Sequence, residues 1–173
     1  MKWTKISALF LLMALVSAPG IIKAQQYQYH KIYIYNFTKY IQWPANKQSG
    51  DFVIGVYGKS QMQNELNEMA ATRSVGGQKI IVKEINAPSD ALGCHVLFIP
   101  QGKSEVLDDV QSKLAGSATL VITEKPGMAK QGSAINFVII GGKLKYELNK
   151  ASIDKAGLKV MPDLIKLAIL VNS

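Results

Sequence analysis

Three groups of residues in this sequence could carry chemistry. Cys94 and His95 place a thiol next to an imidazole, and a thiol nucleophile needs such a base. The Gly-Lys-Ser triplets at residues 58–60 and 102–104 match the last three positions of a phosphate-binding loop. His30, the other histidine of the chain, could meet Cys94 only through the fold. Each group also has a purely structural interpretation, which the neighbouring residues help to test.

None of these groups completes a catalytic motif. A phosphate-binding loop needs a glycine five positions before the Gly-Lys pair, and Val53 and Leu97 stand there instead. The triplets therefore predict a loop followed by a serine that caps a helix. Neighbouring residues of a strand point to opposite faces, so Cys94 cannot pair with His95 and is expected to be a small buried hydrophobe. A dyad of Cys94 with His30 stays open as the enzymatic alternative.

The composition predicts one globular domain that is stable without a disulfide bond or a structural metal ion. The chain has 173 residues, of which 48% are apolar, and its formal net charge is +8. One cysteine cannot close an intramolecular disulfide, and one cysteine with two histidines does not supply a zinc site. We therefore expect no metal, and no motif of the chain indicates a cofactor or a catalytic residue beyond the open dyad.

The N-terminus has the pattern of a secretory signal peptide. Two lysines precede the apolar run of residues 6–16, which is too short to span a bilayer. Cleavage after Ala24 leaves no cysteine at the new N-terminus for a lipid anchor. We expect residues 1–24 to be removed and residues 25–173 to form a soluble exported domain. Export argues against nucleic acid as a partner and assigns the positive charge to an acidic protein or an anionic surface.

Alternating apolar runs and amphipathic stretches predict an α/β fold. The expected strands are residues 52–57, 80–85, 96–99 and 120–122, and the helices between them are residues 61–71 and 104–114. This order predicts a single three-layer domain with a mostly parallel sheet and helices on both faces.

The C-terminal third departs from this alternation. Gly141-Gly142 separates the runs 134–140 and 143–148, which predicts an antiparallel hairpin in a mixed sheet. Asn136 and Glu147 are expected to hydrogen-bond within the hairpin and to be structural. Two helices, at residues 151–156 and 162–170, then close the domain. The apolar face expected for the last helix consists of Leu164, Leu167, Ala168 and Val171.

Two segments carry the side chains that we expect to contact a partner or ligand. The first is residues 33–43, which comprise the C-terminal part of a helix predicted over residues 27–41 and the Trp43 that follows it, because its aromatic and polar side chains exceed what packing requires. Its candidate residues are Tyr35, Asn36, Lys39, Tyr40 and Trp43. The second segment follows a predicted strand end, where α/β folds place ligands. Its candidate residues are Glu124, Lys125 and Met128.

Six blocks of the chain resemble, in order, the YfiR-like family of periplasmic proteins. The blocks are YIYNFTKYIQWP at 33–44, GCHVLFI at 93–99, EKPGMA at 124–129, GSAINFV at 132–138, KYELN at 145–149 and GLKV at 157–160. The resemblance implies a regulator without enzymatic activity, built as one α/β domain that tends to dimerise. It also implies an inner-membrane diguanylate cyclase as the inhibited partner and an outer-membrane lipoprotein that sequesters the regulator.

The chain departs from the family pattern at two positions. Some relatives have paired cysteines, whereas Cys94 has no partner, so no thiol switch within one molecule is available. Met128 stands where an aromatic residue is common. The receptor stays open between a diguanylate cyclase and a sensor histidine kinase. An alternative from another class is a small-molecule binding module in which Tyr35, Tyr40 and Trp43 line a pocket.

Overall fold

The computed structural model describes the backbone of residues 19–172 and the side chains of residues 26–172. Most of the expected signal peptide, residues 1–18, lies outside the described residues. Residues 19–24 form the start of the first helix, α1 (Pro19–Tyr40). No helix in the described part of the chain is both long and apolar enough to cross a membrane.

The described part of the chain contains five α-helices and ten strands. After α1 the helices are α2 (Gln61–Ala70), α3 (Leu107–Lys113), α4 (Lys150–Lys155) and α5 (Pro162–Lys166). The strands are β1 (Ile41–Gln42), β2 (Phe52–Tyr57), β3 (Ser74–Val75), β4 (Gln78–Ile85), β5 (Val96–Ile99), β6 (Leu120–Thr123), β7 (Ile135–Ile140), β8 (Lys143–Leu148), β9 (Lys159–Val160) and β10 (Ile169–Leu170). Short 3-10 helices occupy Ala45–Lys47, Pro88–Ala91 and Gln101–Val106.

Eight of the strands form one mixed sheet in the order β10-β8-β7-β6-β5-β2-β4-β3. Its five central strands, from β7 to β4, are parallel to one another. The hairpin predicted around the Gly-Gly pair is confirmed, because β7 and β8 pair antiparallel with Ile140 opposite Lys143. Strands β1 and β9 form a separate antiparallel pair. The mostly parallel α/β architecture expected from the sequence is therefore present.

Two apolar clusters cover the two faces of the sheet. Ile54 and Val56 of β2 lie in the cluster that also holds residues of α1 and α2. Leu97 and Ile99 of β5 lie in the other cluster, with the buried side chains of α3. Because side chains alternate along a strand, β2, β4, β5 and β6 contribute to both clusters, whereas β7 contributes only to the first. The result is the three-layer arrangement with helices on both faces.

The end of the chain differs from the expected long helix. Helix α5 stops at Lys166, and Leu167, which was expected on its apolar face, is 78% exposed. The chain then pairs parallel with β8 as β10, and Val171 N–H donates to the Leu148 carbonyl at 3.0 Å. Backbone hydrogen bonds to the otherwise open edge of β8 replace those that a longer helix would make. The sheet therefore ends in β10 and not in the hairpin.

Candidate functional site

Helix α1 has a buried stripe and an exposed stripe. Tyr27, His30, Ile34 and Phe37 are buried at a spacing of three or four residues, so they form one continuous face. A second stripe, also spaced by three or four residues, remains in solvent. It consists of Tyr29, Ile32, Asn36 and Lys39, of which Asn36 is half-buried and the others are exposed. The helix thus attaches to the sheet on one side and offers a surface on the other.

A groove of about 430 Å³ lies between α1 and α2 and the turn that follows α2. Three of the residues singled out in the sequence, Tyr35, Asn36 and Lys39, line this groove together. Arg73, from the turn after α2, lines it on the opposite side. Sequence reasoning missed Arg73, because it is far from α1 along the chain and belongs to no motif.

Two cations lie near the ring of Tyr35. Lys39 Nζ is 4.7 Å from the ring centroid, and the guanidinium carbon of Arg73 is 5.5 Å from it. The Tyr35 hydroxyl donates to the Ser74 carbonyl at 3.4 Å, and Lys39 Nζ donates to Asn36 Oδ1 at 3.4 Å. Cation–π contacts at exposed sites contribute only about 0.5–1 kcal/mol, so they orient these cations without neutralising them.

The third cation of the groove is already neutralised. Lys31 Nζ donates to carboxylate oxygens of Glu65 and Glu68 on α2, at 2.5 and 3.0 Å. The hydrogen bond to Glu65 is the main reason that the pKa of Lys31 is raised. These ion pairs tie α1 to α2, and with two carboxylates on one ammonium they carry a net negative charge. Lys39 and Arg73 are the cations of the groove that form no ion pair.

The aromatic residues at the end of α1 have different surroundings. Trp43 is buried, donates from Nε1 to the His95 carbonyl at 3.2 Å, and packs edge-on against Phe52. Tyr40 is half-buried against the same cluster. Trp43 lines a separate cavity beside β1, whereas Tyr35 lines the groove between α1 and α2. The structure therefore does not bring Tyr35 and Trp43 into one pocket.

The second expected segment, residues 124–128, is mostly occupied by internal contacts. Glu124 Oε1 accepts hydrogen bonds from the Tyr27 hydroxyl and from Gln101 N–H, both at 3.0 Å. Met128 is buried in the cluster on the α3 side of the sheet. Lys125 is exposed. Of the three residues expected here, only Lys125 presents its side chain to solvent.

His30, on α1, lies beside Glu124, and the sequence analysis did not predict this contact. Its ring stacks on Phe137 with the centroids 4.1 Å apart, and Nδ1 lies 3.5 Å from Glu124 Oε2. Burial lowers the pKa of His30 to about 4, so the ring is neutral near pH 7. Burial, together with the charge of Glu124, raises the pKa of Tyr27 to about 12. The spacing of Tyr27 and His30 on one helix face was the available signal for this contact.

The thiol has no catalytic partner among the described residues. Cys94 lies in the cluster on the α3 side, whereas His30 stacks on Phe137 on the other face of the sheet. Burial raises the pKa of Cys94, which keeps the thiol protonated. His95 accepts from Val53 N–H through Nδ1 at 3.0 Å and donates from Nε2 to the Lys47 carbonyl at 2.8 Å. Both of its ring nitrogens are therefore used structurally.

The two Gly-Lys-Ser triplets also have structural roles. Ser60 is the N-cap of α2 and accepts a hydrogen bond from Met62 N–H, as expected for a capping serine. Ser104 is buried inside a 3-10 helix and donates to the Gln101 carbonyl at 2.8 Å, which is not a capping contact. Within the described side chains, no group of three or more His, Cys, Asp or Glu residues could hold a metal ion.

The hairpin pair behaves as expected. Asn136 lies opposite Glu147, and Asn136 Nδ2 donates to a carboxylate oxygen of Glu147 at 2.9 Å. Asn136 Oδ1 also accepts from the Thr123 hydroxyl, so the pair belongs to a buried polar network of the sheet. These contacts are structural and leave the groove between α1 and α2 as the main candidate surface.

Comparison with protein families shows to which family the chain belongs. The family described as YfiR/HmsC-like matches residues 27–169 of the 173-residue chain. The match runs from the middle of α1 into β10 and includes all six blocks that carry the resemblance in the sequence. The chain therefore belongs to the YfiR/HmsC-like family.

Proposed function

We propose that the protein is a periplasmic, non-enzymatic regulator that binds an inner-membrane sensor protein and inhibits it. The observation that carries the proposal is the family match over residues 27–169. The YfiR/HmsC-like family consists of periplasmic regulators of cyclic di-GMP signalling and is regulatory rather than catalytic. The partner of this chain is a diguanylate cyclase with a periplasmic sensor domain, or a sensor histidine kinase of similar layout.

Regulation of this kind requires the protein to bind one conformation of the sensor more tightly than the other, and it requires no catalysed reaction. A membrane sensor exists in an active and an inactive conformation, and a protein that binds the inactive one more tightly shifts the population toward it. A tenfold difference in affinity for the two conformations changes the free-energy difference between them by about 1.4 kcal/mol. The buried thiol and the structurally engaged histidines are compatible with such a role.

The exposed side of α1 is the contact surface in this proposal. Tyr35, Asn36 and Lys39 lie together along the groove between α1 and α2, which also contains Arg73. Lys125, next to Glu124, is a second exposed candidate. Trp43 and Met128 act in the core, because their side chains are buried.

The remaining parts of the proposal concern location and assembly. Residues 1–24 direct export and are cleaved, and the mature chain from residue 25 acts without a lipid anchor. The regulator forms a homodimer, and sequestration of the regulator by an outer-membrane lipoprotein releases the sensor from inhibition.

The proposal is tested by crosslinking the tagged protein in the envelope of its native host and identifying the captured proteins by mass spectrometry. The expected result is an inner-membrane protein with a cytoplasmic cyclase or kinase domain. The double variant Tyr35→Ala/Lys39→Ala should lose most of this capture while keeping a melting temperature close to that of the wild type. Lys113→Ala/Lys130→Ala, which changes two exposed lysines elsewhere, is the control. Recovery of no membrane sensor by either protein would contradict the proposal.

A small-molecule binding module is the second candidate. A cavity of about 200 Å³ between α3 and α4 supports it, because Leu114, Val121 and Ala134 give it an apolar wall and Lys155 adds one cation. A ligand for this cavity would raise the melting temperature of the purified protein in the absence of any protein partner. Val121→Trp, which fills the cavity, should abolish that rise.

A further inference from the structure

The groove between α1 and α2 contains two cations without an acidic partner. Lys39 and Arg73 both approach the Tyr35 ring, and neither forms an ion pair with any carboxylate among the described side chains. Both side chains are exposed. Two like charges held near one ring repel each other, so a carboxylate placed between them would lower the electrostatic energy of the site. The guanidinium of Arg73 offers a planar fork that suits a bidentate carboxylate.

An apolar stripe continues the groove along α1. Ile32 lines the groove and is 54% exposed, and Tyr29, one turn earlier on the same face, is also 54% exposed. Exposed isoleucine and tyrosine side chains of this kind gain free energy when a partner covers them. The surface therefore combines an apolar half, at Tyr29 and Ile32, with a cationic half, at Lys39 and Arg73.

From this arrangement, and resting on the proposed function, we propose that the groove binds an acidic segment of the protein partner. One or two Asp or Glu side chains of that segment pair with Lys39 and Arg73, and an apolar side chain three or four residues away covers Ile32. Tyr35 lies between the two halves and keeps the cations in place. The partner is thus recognised by an acidic and apolar stretch that matches the length of the groove.

The charge count favours a protein segment over a membrane surface. Basic segments that bind anionic lipids usually carry clusters of about four to eight Lys or Arg residues. This groove has only two uncompensated cations, since Lys31 is paired with Glu65 and Glu68. Two cations beside an apolar stripe instead fit the charge-complementary centre of a protein interface.

The first experiment maps what touches the groove. The full chain is expressed in its native host with Ile32→p-benzoylphenylalanine, irradiated, and the crosslinked peptide is sequenced by mass spectrometry. We expect the crosslink to fall on a segment of the membrane sensor that contains Asp or Glu within a few residues of an apolar side chain. The same photoreactive residue at Lys113, on α3, is the control for contact elsewhere on the surface.

The second experiment tests the charges by reversal. Lys39→Glu/Arg73→Glu should weaken binding of the purified sensor segment about tenfold or more, and replacing the segment's crosslinked acidic residues by Lys should restore it. Lys113→Glu/Lys130→Glu makes the same change in net charge and should have little effect. Lys113 matches Lys39 because each lies in the last turn of a helix, and Lys130 matches Arg73 because each lies in an exposed turn.

The outcomes separate this inference from the proposed function. If the sensor is captured but crosslinks only through other surfaces, or binds the reversed variant unchanged, the groove is not the recognition site although the regulator role stands. Binding of the wild type, but not of the reversed variant, to mixed phosphatidylethanolamine and phosphatidylglycerol vesicles, without any crosslink to the sensor, would replace the protein segment by a lipid surface. Failure to capture a sensor from any position would overturn both proposals.

Discussion

At the scale of single residues, the cluster around His30 shows how burial controls charge. The ring is fully buried, stacks on Phe137, and makes no hydrogen bond through either nitrogen to a described residue. The carboxylate of Glu124, 3.5 Å from Nδ1, favours the charged ring, but the loss of hydration opposes it more strongly. His30 therefore stays neutral in the folded protein until the pH approaches about 4.

This burial predicts a specific loss of stability in acid. Between pH 6.5 and about 4 the unfolded chain binds a proton at His30 that the folded protein does not bind, so the free energy of unfolding falls as pH falls. The full effect is of the order of 3 kcal/mol and does not grow further below pH 4. His30→Phe keeps an aromatic ring against Phe137 and should remove this component, as measured by urea unfolding at pH 7 and pH 4.5.

The difference between the wild type and His30→Phe reports the contribution of His30 to the pH dependence of the free energy of unfolding. His95, whose pKa is also lowered by burial, and the carboxylates that do not contact His30 are present in both proteins. An identical pH dependence in the wild type and in His30→Phe would show that His30 is protonated in the folded state as easily as in the unfolded chain.

At the scale of elements, α1 performs two tasks with two faces. Ile34 is fully buried against the sheet, whereas Ile32, two residues earlier, is 54% exposed beside the groove. Helical periodicity separates these two positions by about 200° around the axis, so one isoleucine stabilises the fold and the other is free to contact a partner.

Matched substitutions should separate the two faces. Ile34→Ala should lower the free energy of unfolding by about 2–5 kcal/mol, because it removes buried methyl groups and leaves a cavity. Ile32→Ala should change it by about 0.5 kcal/mol or less and should instead weaken partner binding. Denaturant unfolding measures the first quantity and titration with the captured sensor segment the second. Equal losses of stability in both variants would contradict the assignment of the faces.

At the scale of the whole molecule, the sheet divides the interior into two cores that fold together. Four of the five central strands, β2, β4, β5 and β6, contribute side chains to both clusters, so neither core can form without the sheet. Cys94 lies in the core on the α3 side, 1% exposed, just before β5. Its thiol is therefore a native probe of how cooperatively the molecule opens.

Labelling of Cys94 by Ellman's reagent should require global unfolding. Burial covers the thiol and raises its pKa, which lowers the reactive thiolate fraction in the folded state. We expect the opening free energy from labelling to agree within about 1 kcal/mol with the free energy of unfolding from circular dichroism. Much faster labelling would show instead that residues 86–95 open locally while the rest of the sheet stays folded.

Local patterns in the sequence were sufficient for most of the elements. The strand at residues 52–57, the strand at 96–99 and the Gly-Gly hairpin were predicted at the bounds that the structure has, or within one residue. These features depend on side-chain alternation and turn chemistry between near neighbours, which a sequence displays directly. The absence of a complete phosphate-binding loop followed from residue spacing alone. Cys94 and His95 were expected within a strand but lie just before β5, although their side chains still contact different clusters.

Only the tertiary structure decided which distant residues meet. Tyr27 hydrogen-bonds Glu124 across 97 positions, and Arg73 reaches the Tyr35 ring from the turn after α2. The fold also placed Trp43 and Met128 in the core and made residues 169–170 a strand on the open edge of β8 in place of a helix. Such outcomes depend on which surfaces compete for burial and which backbone groups lack partners once the sheet has formed, and neither quantity can be read from neighbouring residues.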